Sequence, residues 1–161
     1  MSDPADSSVD REATTASGES ALPCVMCFNA NDPSGAGGLS ADLTAMASAS
    51  TYVLPVVTGA YVRDTSAIRD HFALDEEAVV DQARCALEDM PVRAIKVGFV
   101  GSPENLSAVA QITSDYPEVP VVTYMPDLSW WDELDIENYL DACTELLLPQ
   151  TTVLVGNHST L

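Results

Sequence analysis

From Pro23 onward, short continuous apolar runs alternate with stretches whose apolar residues recur at helical spacing, and this alternation limits the fold more than any other feature. Apolar runs without alternation suit strands buried on both faces, and amphipathic stretches suit helices that cover those faces. Together they define an α/β fold, with a mostly parallel sheet and helices on both faces. The crossovers are expected to be right-handed.

Strands are expected at Cys24–Ala30, Tyr52–Val62, Ala94–Val100, Val119–Met125 and Thr151–Val155. The first helix spans Leu39–Ala49, with Leu39, Leu43, Met46 and Ala47 on one side. Asp75-Glu76-Glu77 opens the second, because acids in a first turn complement the helix dipole, and Pro91 ends it. Val79, Val80, Ala83 and Leu87 form its buried stripe. Ser102 caps the third, followed by Pro103 at its first position, with Leu106, Val109, Ala110 and Ile112 inward. The fourth covers Ile136–Leu148. Leu161 closes the chain six residues after the fifth strand, where a further helix would start, so residues 23–161 read as a C-terminally incomplete domain. Residues 1–22 read as a disordered acidic tail, with five acids, one base and almost no large apolar group.

Charge narrows the partners. The chain has 25 acidic and 6 basic residues, a formal net charge of -19, and Lys96 is its one lysine. Nucleic-acid binding needs a basic stripe, which is absent, and an anionic membrane surface would be repelled. No apolar stretch approaches a membrane span and no secretory signal pattern begins the chain, so a cytoplasmic, soluble protein is expected. Cys24 and Cys27 form a C-x-x-C, but three residues apart on a strand they would point to opposite faces. They read as small apolar residues of a reduced core.

The chemistry concentrates in Asn31-Asp32-Pro33-Ser34-Gly35-Ala36-Gly37-Gly38-Leu39-Ser40-Ala41-Asp42. It reads as a strand end, a glycine-rich turn and a helix start, where backbone approaches a ligand closely and free N–H groups attract anions or polar heads. A dinucleotide fingerprint would place its third glycine at position 40, which is Ser40.

Asp32-Pro33-Ser34-Gly35-x-Gly37-Gly38-Leu39-x-Ala41-Asp42 resembles the signature of the hydroxymethylpyrimidine/phosphomethylpyrimidine kinases, ribokinase-like enzymes of thiamine biosynthesis. The resemblance continues at Val56-Val57-Thr58-Gly59, Ala94-Ile95-Lys96-Val97-Gly98, Leu146-Leu147-Leu148-Pro149-Gln150 and Asn157. It implies the N-terminal half of a ribokinase-like fold. It further implies ATP-dependent phosphorylation of hydroxymethylpyrimidine or its monophosphate, with ATP and Mg2+ as cofactors. Under it Asp42 binds the pyrimidine's ring edge, and the turn with Gly35 and Gly37 closes over the ring. Asn157 lies on the nucleotide side, and a homodimer is left open. The plain alternative for Asp42 is a solvated helix acid. Lys96 is expected near the pocket rim or paired with an acid, without a chemical role.

Departures from the family pattern matter. Arg63 stands where the family has a substrate-binding glutamine, which implies either a pocket for an anionic ligand or an Arg63–Asp42 pair. Phe99 replaces a methionine as pocket wall. Pro126–Trp131 lacks the lysine and glycine of the family's loop, and its two tryptophans read as packing. Asn157-His158-Ser159-Thr160 ends without the carboxylate of the family's Asn-x-x-Glu motif, a weak start for a magnesium site. No glycine-rich anion hole or catalytic base follows Gly98, so no catalytic residue is assigned to this chain and activity of the 161 residues alone is doubtful. The competing function is a degenerate kinase-fold protein that binds a small ligand or a partner without catalysis.

Overall fold

The structure, a computed structural model, describes residues 21–161. The acidic tail expected at residues 1–22 lies almost wholly outside the described residues. The chain runs β1 (Cys24–Asn31), α1 (Gly38–Ser48), β2 (Tyr52–Arg63), β3 (Ile68–Ala73), α2 (Glu76–Asp89), β4 (Ala94–Val97), α3 (Pro103–Ser114), β5 (Val121–Tyr124), α4 (Glu133–Ala142) and β6 (Val153–Val155). The strands form one sheet in the order β3-β2-β1-β4-β5-β6. Every pairing is parallel except β2 with β3. The α/β expectation therefore holds, with β3 added.

Alternate residues of β1 part to two faces. Met26, Phe28 and Ala30 join the main core with Val79, Leu106 and Val109 of α2 and α3. Cys27 and Asn29 point to α1, where Cys27 Sγ meets Met46 Sδ at 3.7 Å and Asn29 bonds Asp42. Cys24 and Cys27 thus fall on opposite faces, and all four cysteines are free thiols. Burial first, then the nearby Asp42 charge, pushes the Cys27 thiol up to about 12.

The helix starts follow local chemistry. Asp75 accepts a hydrogen bond from the N–H of Ala78 at 2.9 Å, and Ser102 accepts one from Asn105 at 3.1 Å. Each satisfies a donor that the first turn leaves without an intrahelical partner. Asp132 does the same for Leu134, so α4 opens at Glu133, before the expected Ile136.

Three expectations need correction. β3 was not expected, because Ile68-Arg69-Asp70-His71-Phe72-Ala73 is an edge strand with exposed charges and lacks a continuous apolar run. Leu43 and Ala47 of α1 are exposed and only Leu39 is fully buried, since α1 rests mainly on β1 and β2 and needs only a narrow apolar stripe. The fourth helix does not reach Leu148 as an α-helix, for it passes into a π turn at Cys143–Leu147 and a 3-10 turn at Leu148–Gln150. No helix among the described residues is long and apolar enough to cross a membrane.

Candidate functional site

The turn from β1 into α1 is organised around Asp32, which is 2% exposed. The N–H and hydroxyl of Ser34 both donate to Asp32 Oδ1, at 2.8 and 2.6 Å, and Gly35 N–H donates to the Asp32 carbonyl at 3.1 Å. Gly38 has φ +58°, and a Cβ there would run into the Ala30 carbonyl oxygen and the Asp32 side chain. Only glycine takes that conformation in that space. Gly37 precedes α1 without a capping side chain, and no acid stands in the first turn, so side chains leave the first turn's backbone donors uncapped.

A cavity of about 230 Å³ opens beside this turn. It lies where β1, β2, β4 and β5 end, the edge at which open parallel sheets bind ligands. Asn29, Asp32, Gly37 and Gly38 line one side, and Tyr61, Arg63, Phe99, Tyr124 and Asp127 the other. Phe99 is fixed on both sides of its peptide. Its N–H donates to Asn29 Oδ1 at 3.2 Å, and its carbonyl accepts from the buried Thr58 hydroxyl at 2.9 Å. Its ring stacks on Tyr61 with centroids 5.5 Å apart and planes 15° apart. Behind them Trp130 and Trp131 stack on each other and meet His71 edge to face. The tryptophans are packing, and His71 Nε2 lies 3.1 Å from the Gly101 carbonyl oxygen.

Two ion pairs lie near the turn, and of these only Arg63–Asp32 lines the cavity. Arg63 Nη1 donates to Asp32 Oδ2 at 3.2 Å, while its Nε donates to the Asp64 carbonyl at 3.0 Å. Lys96 Nζ donates to Asp42 Oδ1 at 2.5 Å, Asn29 Nδ2 donates to Asp42 Oδ2 at 2.9 Å, and the ammonium stands 5.5 Å from the Tyr124 ring centroid. The alternative of an Arg63–Asp42 pair is thereby corrected: Arg63 takes Asp32, and Asp42 is taken by Lys96. Both oxygens of Asp42 are engaged, and it is not among the residues lining the cavity. Burial first, and then the Asp32 charge, hold the Tyr61 phenol above its ordinary range.

The structure thus gathers Gly37, Arg63 and Phe99 around one cavity. Gly35 stands at the turn's outer corner with φ +73°, and Asn157 is separate. Asn157 uses its side-chain oxygen within its own loop, accepting from Ser159 N–H at 2.9 Å and its hydroxyl at 2.7 Å. No group of three or more His, Cys, Asp and Glu among the described residues is placed to hold a metal ion. Sequence reasoning missed Asn29 and Tyr61, and did not pair Asp32 with Arg63. Asn29 carried a signal, since a lone amide in the buried run Val25-Met26-Cys27-Phe28 has to find partners. A larger groove of about 430 Å³ at the opposite end of the sheet, between Leu87, Met90, Val92 and Tyr116, holds no such constellation.

A glycine-rich turn feeding a helix at the C-terminal edge of a parallel sheet, beside a ring-walled cavity, defines an α/β protein with a candidate ligand site. The family model described as phosphomethylpyrimidine kinase matches residues 32–161, and the chain belongs to that family. It is 28% identical over 135 residues to the hydroxymethylpyrimidine/phosphomethylpyrimidine kinase of Streptomyces coelicolor, covering 84% of this chain and 50% of that one. A putative kinase of the same description from Schizosaccharomyces pombe is 28% identical over 139 residues, 85% of this chain and 25% of the relative. Among solved structures, phosphomethylpyrimidine kinase from Clostridium difficile 630 superposes with a TM-score of 0.72 at 25% identity, over 83% of this chain and 58% of that one. Pyridoxal kinase from Staphylococcus aureus, in complex with AMP-PCP and pyridoxal, gives 0.70 at 25% identity, over 85% and 49%. The chain spans half or less of the length of these two curated relatives.

Proposed function

We propose that the protein takes part in ATP-dependent phosphorylation of hydroxymethylpyrimidine or its monophosphate, in thiamine biosynthesis and in the cytoplasm, and that these 161 residues form the acceptor side of the site. The observation that carries this reading is the Asp32–Asp42 turn, which sits against a cavity walled by Tyr61 and Phe99. A planar ring gains apolar contact against the edge of this packed ring cluster, and the turn's glycines admit it close to the backbone. In this reading Gly35 and Gly37 shape the lip, Phe99 is the ring wall, Arg63 meets the polar edge and Asp42 steadies the helix behind it. Kinases of this kind work by positioning and by stabilising the transferred phosphoryl group. In this reading the described residues orient the acceptor.

Tryptophan fluorescence tests the reading, because Trp130 stands against the Tyr61 and Phe99 rings of the cavity wall. Saturable quenching by hydroxymethylpyrimidine, its monophosphate or pyridoxal is expected, without ADP formation by the 161 residues alone. Absence of binding by all three ligands would overturn it. The self-contained Asn157 loop favours a second reading, a kinase-fold binder without catalysis. ADP release from the full-length protein, dependent on the ring alcohol, decides between the two.

A further inference from the structure

Cations are scarce in this chain, and one of them, Arg63, lines the cavity. Arg63 and Lys96 keep side chains only 16% and 17% exposed, whereas Arg69 and Arg84 are 69% and 39% exposed and Arg93 is exposed. Lys96 is spent on Asp42 and the Tyr124 ring. Arg63 is spent only in part. Its Nε and Nη1 have acceptors, but among the described residues Nη2 has none. A guanidinium carries five donors in a rigid fork, so one edge is left over.

Arg63 borders two adjoining cavities. The inner one is walled by Tyr61 and Phe99, and the outer one, about 390 Å³, is lined by Ser66, Ser129 and Trp130. The nearby acids do not compete for that edge equally. Asp32 is matched by Arg63 and Ser34, and Asp42 by Lys96 and Asn29. Asp127 borders both cavities but is exposed and solvated, with its charge held by the Ser129 N–H. The charged donor the cavity still offers is Arg63 Nη2, beside the Tyr61 hydroxyl, which donates or accepts, and the exposed Asp127 carboxylate.

We propose that Arg63 determines specificity in this cavity, selecting a ring ligand that carries an anionic oxygen over the neutral aminopyrimidine alcohol. The inference rests on the aromatic-alcohol reading above and adds the charge state of the ligand. A charged oxygen accepts a charge-assisted bond from the free guanidinium edge, which is stronger than a neutral one. A neutral aminopyrimidine alcohol offers that edge only uncharged ring-nitrogen and hydroxyl acceptors, which bind it less strongly. The oxygen has two sources, a phosphomonoester or a deprotonated ring hydroxyl such as that of pyridoxal.

Calorimetric titration of the 161-residue chain with hydroxymethylpyrimidine, its monophosphate and pyridoxal tests this. At low salt at least one anionic ligand should bind roughly tenfold to a hundredfold more tightly than the neutral alcohol. Preference for the monophosphate alone identifies the ester oxygen, and tight binding of pyridoxal as well identifies the ring oxygen. Arg63→Gln should remove the preference and Arg63→Lys should keep part of it. Equal affinities for neutral and anionic ligands, or a preference that survives Arg63→Gln, would overturn the proposal and leave the aromatic-alcohol reading standing. Failure of all three ligands would overturn both. Should Arg63→Gln not fold, the unmutated chain still decides: the preference should shrink as KCl is raised, and one indifferent to salt sinks the proposal.

Discussion

On the face of the sheet covered by α2, α3 and α4, the buried side chains that meet are Phe28, Ile95, Val97, Leu106 and Ile112, with no charge among them. On the face that carries α1, the same strands present Cys27, Asn29 and Lys96, and the helix answers with Met46 and Asp42. Adjacent residues of β1 and β4 thus serve different ends because side chains alternate across a strand. One face holds the fold by excluding water. The other holds a polar network that fixes the glycine-rich turn, and that network works only while every member is paired.

The largest effect should come from the apolar face. Phe28 is 0% exposed at the centre of the core, flanked by β2 and β4. Phe28→Ala should cost about 3–5 kcal/mol, a large share of the roughly 5–15 kcal/mol that a domain of this size has. Urea denaturation followed by circular dichroism measures it through the midpoint. A loss below about 1 kcal/mol would show that the two faces do not differ as described.

The polar face should respond next. Lys96→Met leaves Asp42 partly buried, with Asn29 as its one remaining side-chain donor. Breaking a buried pair costs about 3–5 kcal/mol; with side chains 17% and 12% exposed, solvent reduces this to about 2–3 kcal/mol. The double variant Lys96→Met with Asp42→Asn should recover most of the loss, because no stranded charge remains. Additive losses in the double variant would mean that the two side chains act independently.

How far the sequence discloses these faces depends on the range of the interaction. The Asp32–Asp42 turn is legible because its determinants are local: glycines that permit positive φ, and a serine two residues from the aspartate it bonds. The inner strands β1 and β4 are legible because both of their faces are covered, and β6, though exposed, because Val153-Leu154-Val155 is still an apolar run. β3 is not, because an edge strand needs no apolar run, although Asp64-Thr65-Ser66 after β2 is turn chemistry. The Asp64 side chain accepts from Ser66 and Ala67 N–H groups and closes the hairpin. The choice of partner at the cavity is least legible of all. Arg63 lies 31 positions from Asp32, and Lys96 lies 54 from Asp42. Which cation meets which acid follows from strand order and from the face each side chain takes, and neither is encoded nearby.

The smallest effect belongs to a pair that shares its chemistry with the other two and differs in its setting. Arg69 Nη2 donates to Asp64 Oδ2 at 2.9 Å across the β2–β3 hairpin, with side chains 69% and 50% exposed. The Arg69 hydrogen bond, followed by the N–H groups of Ser66 and Ala67, holds the Asp64 carboxyl well below the usual carboxylate range. A depressed carboxyl stabilises the fold above the unfolded pKa, and that contribution fades as pH falls through the lower folded value. At neutral pH it is present in full, yet water competes for both partners and salt screens them. Arg69→Ala should therefore move the thermal midpoint at pH 7 by no more than about a degree. The same scan on Lys96→Met should show a drop several times larger. Equal shifts in the two variants would mean that burial does not separate the pairs, and that the α1 face has no special claim to its charges.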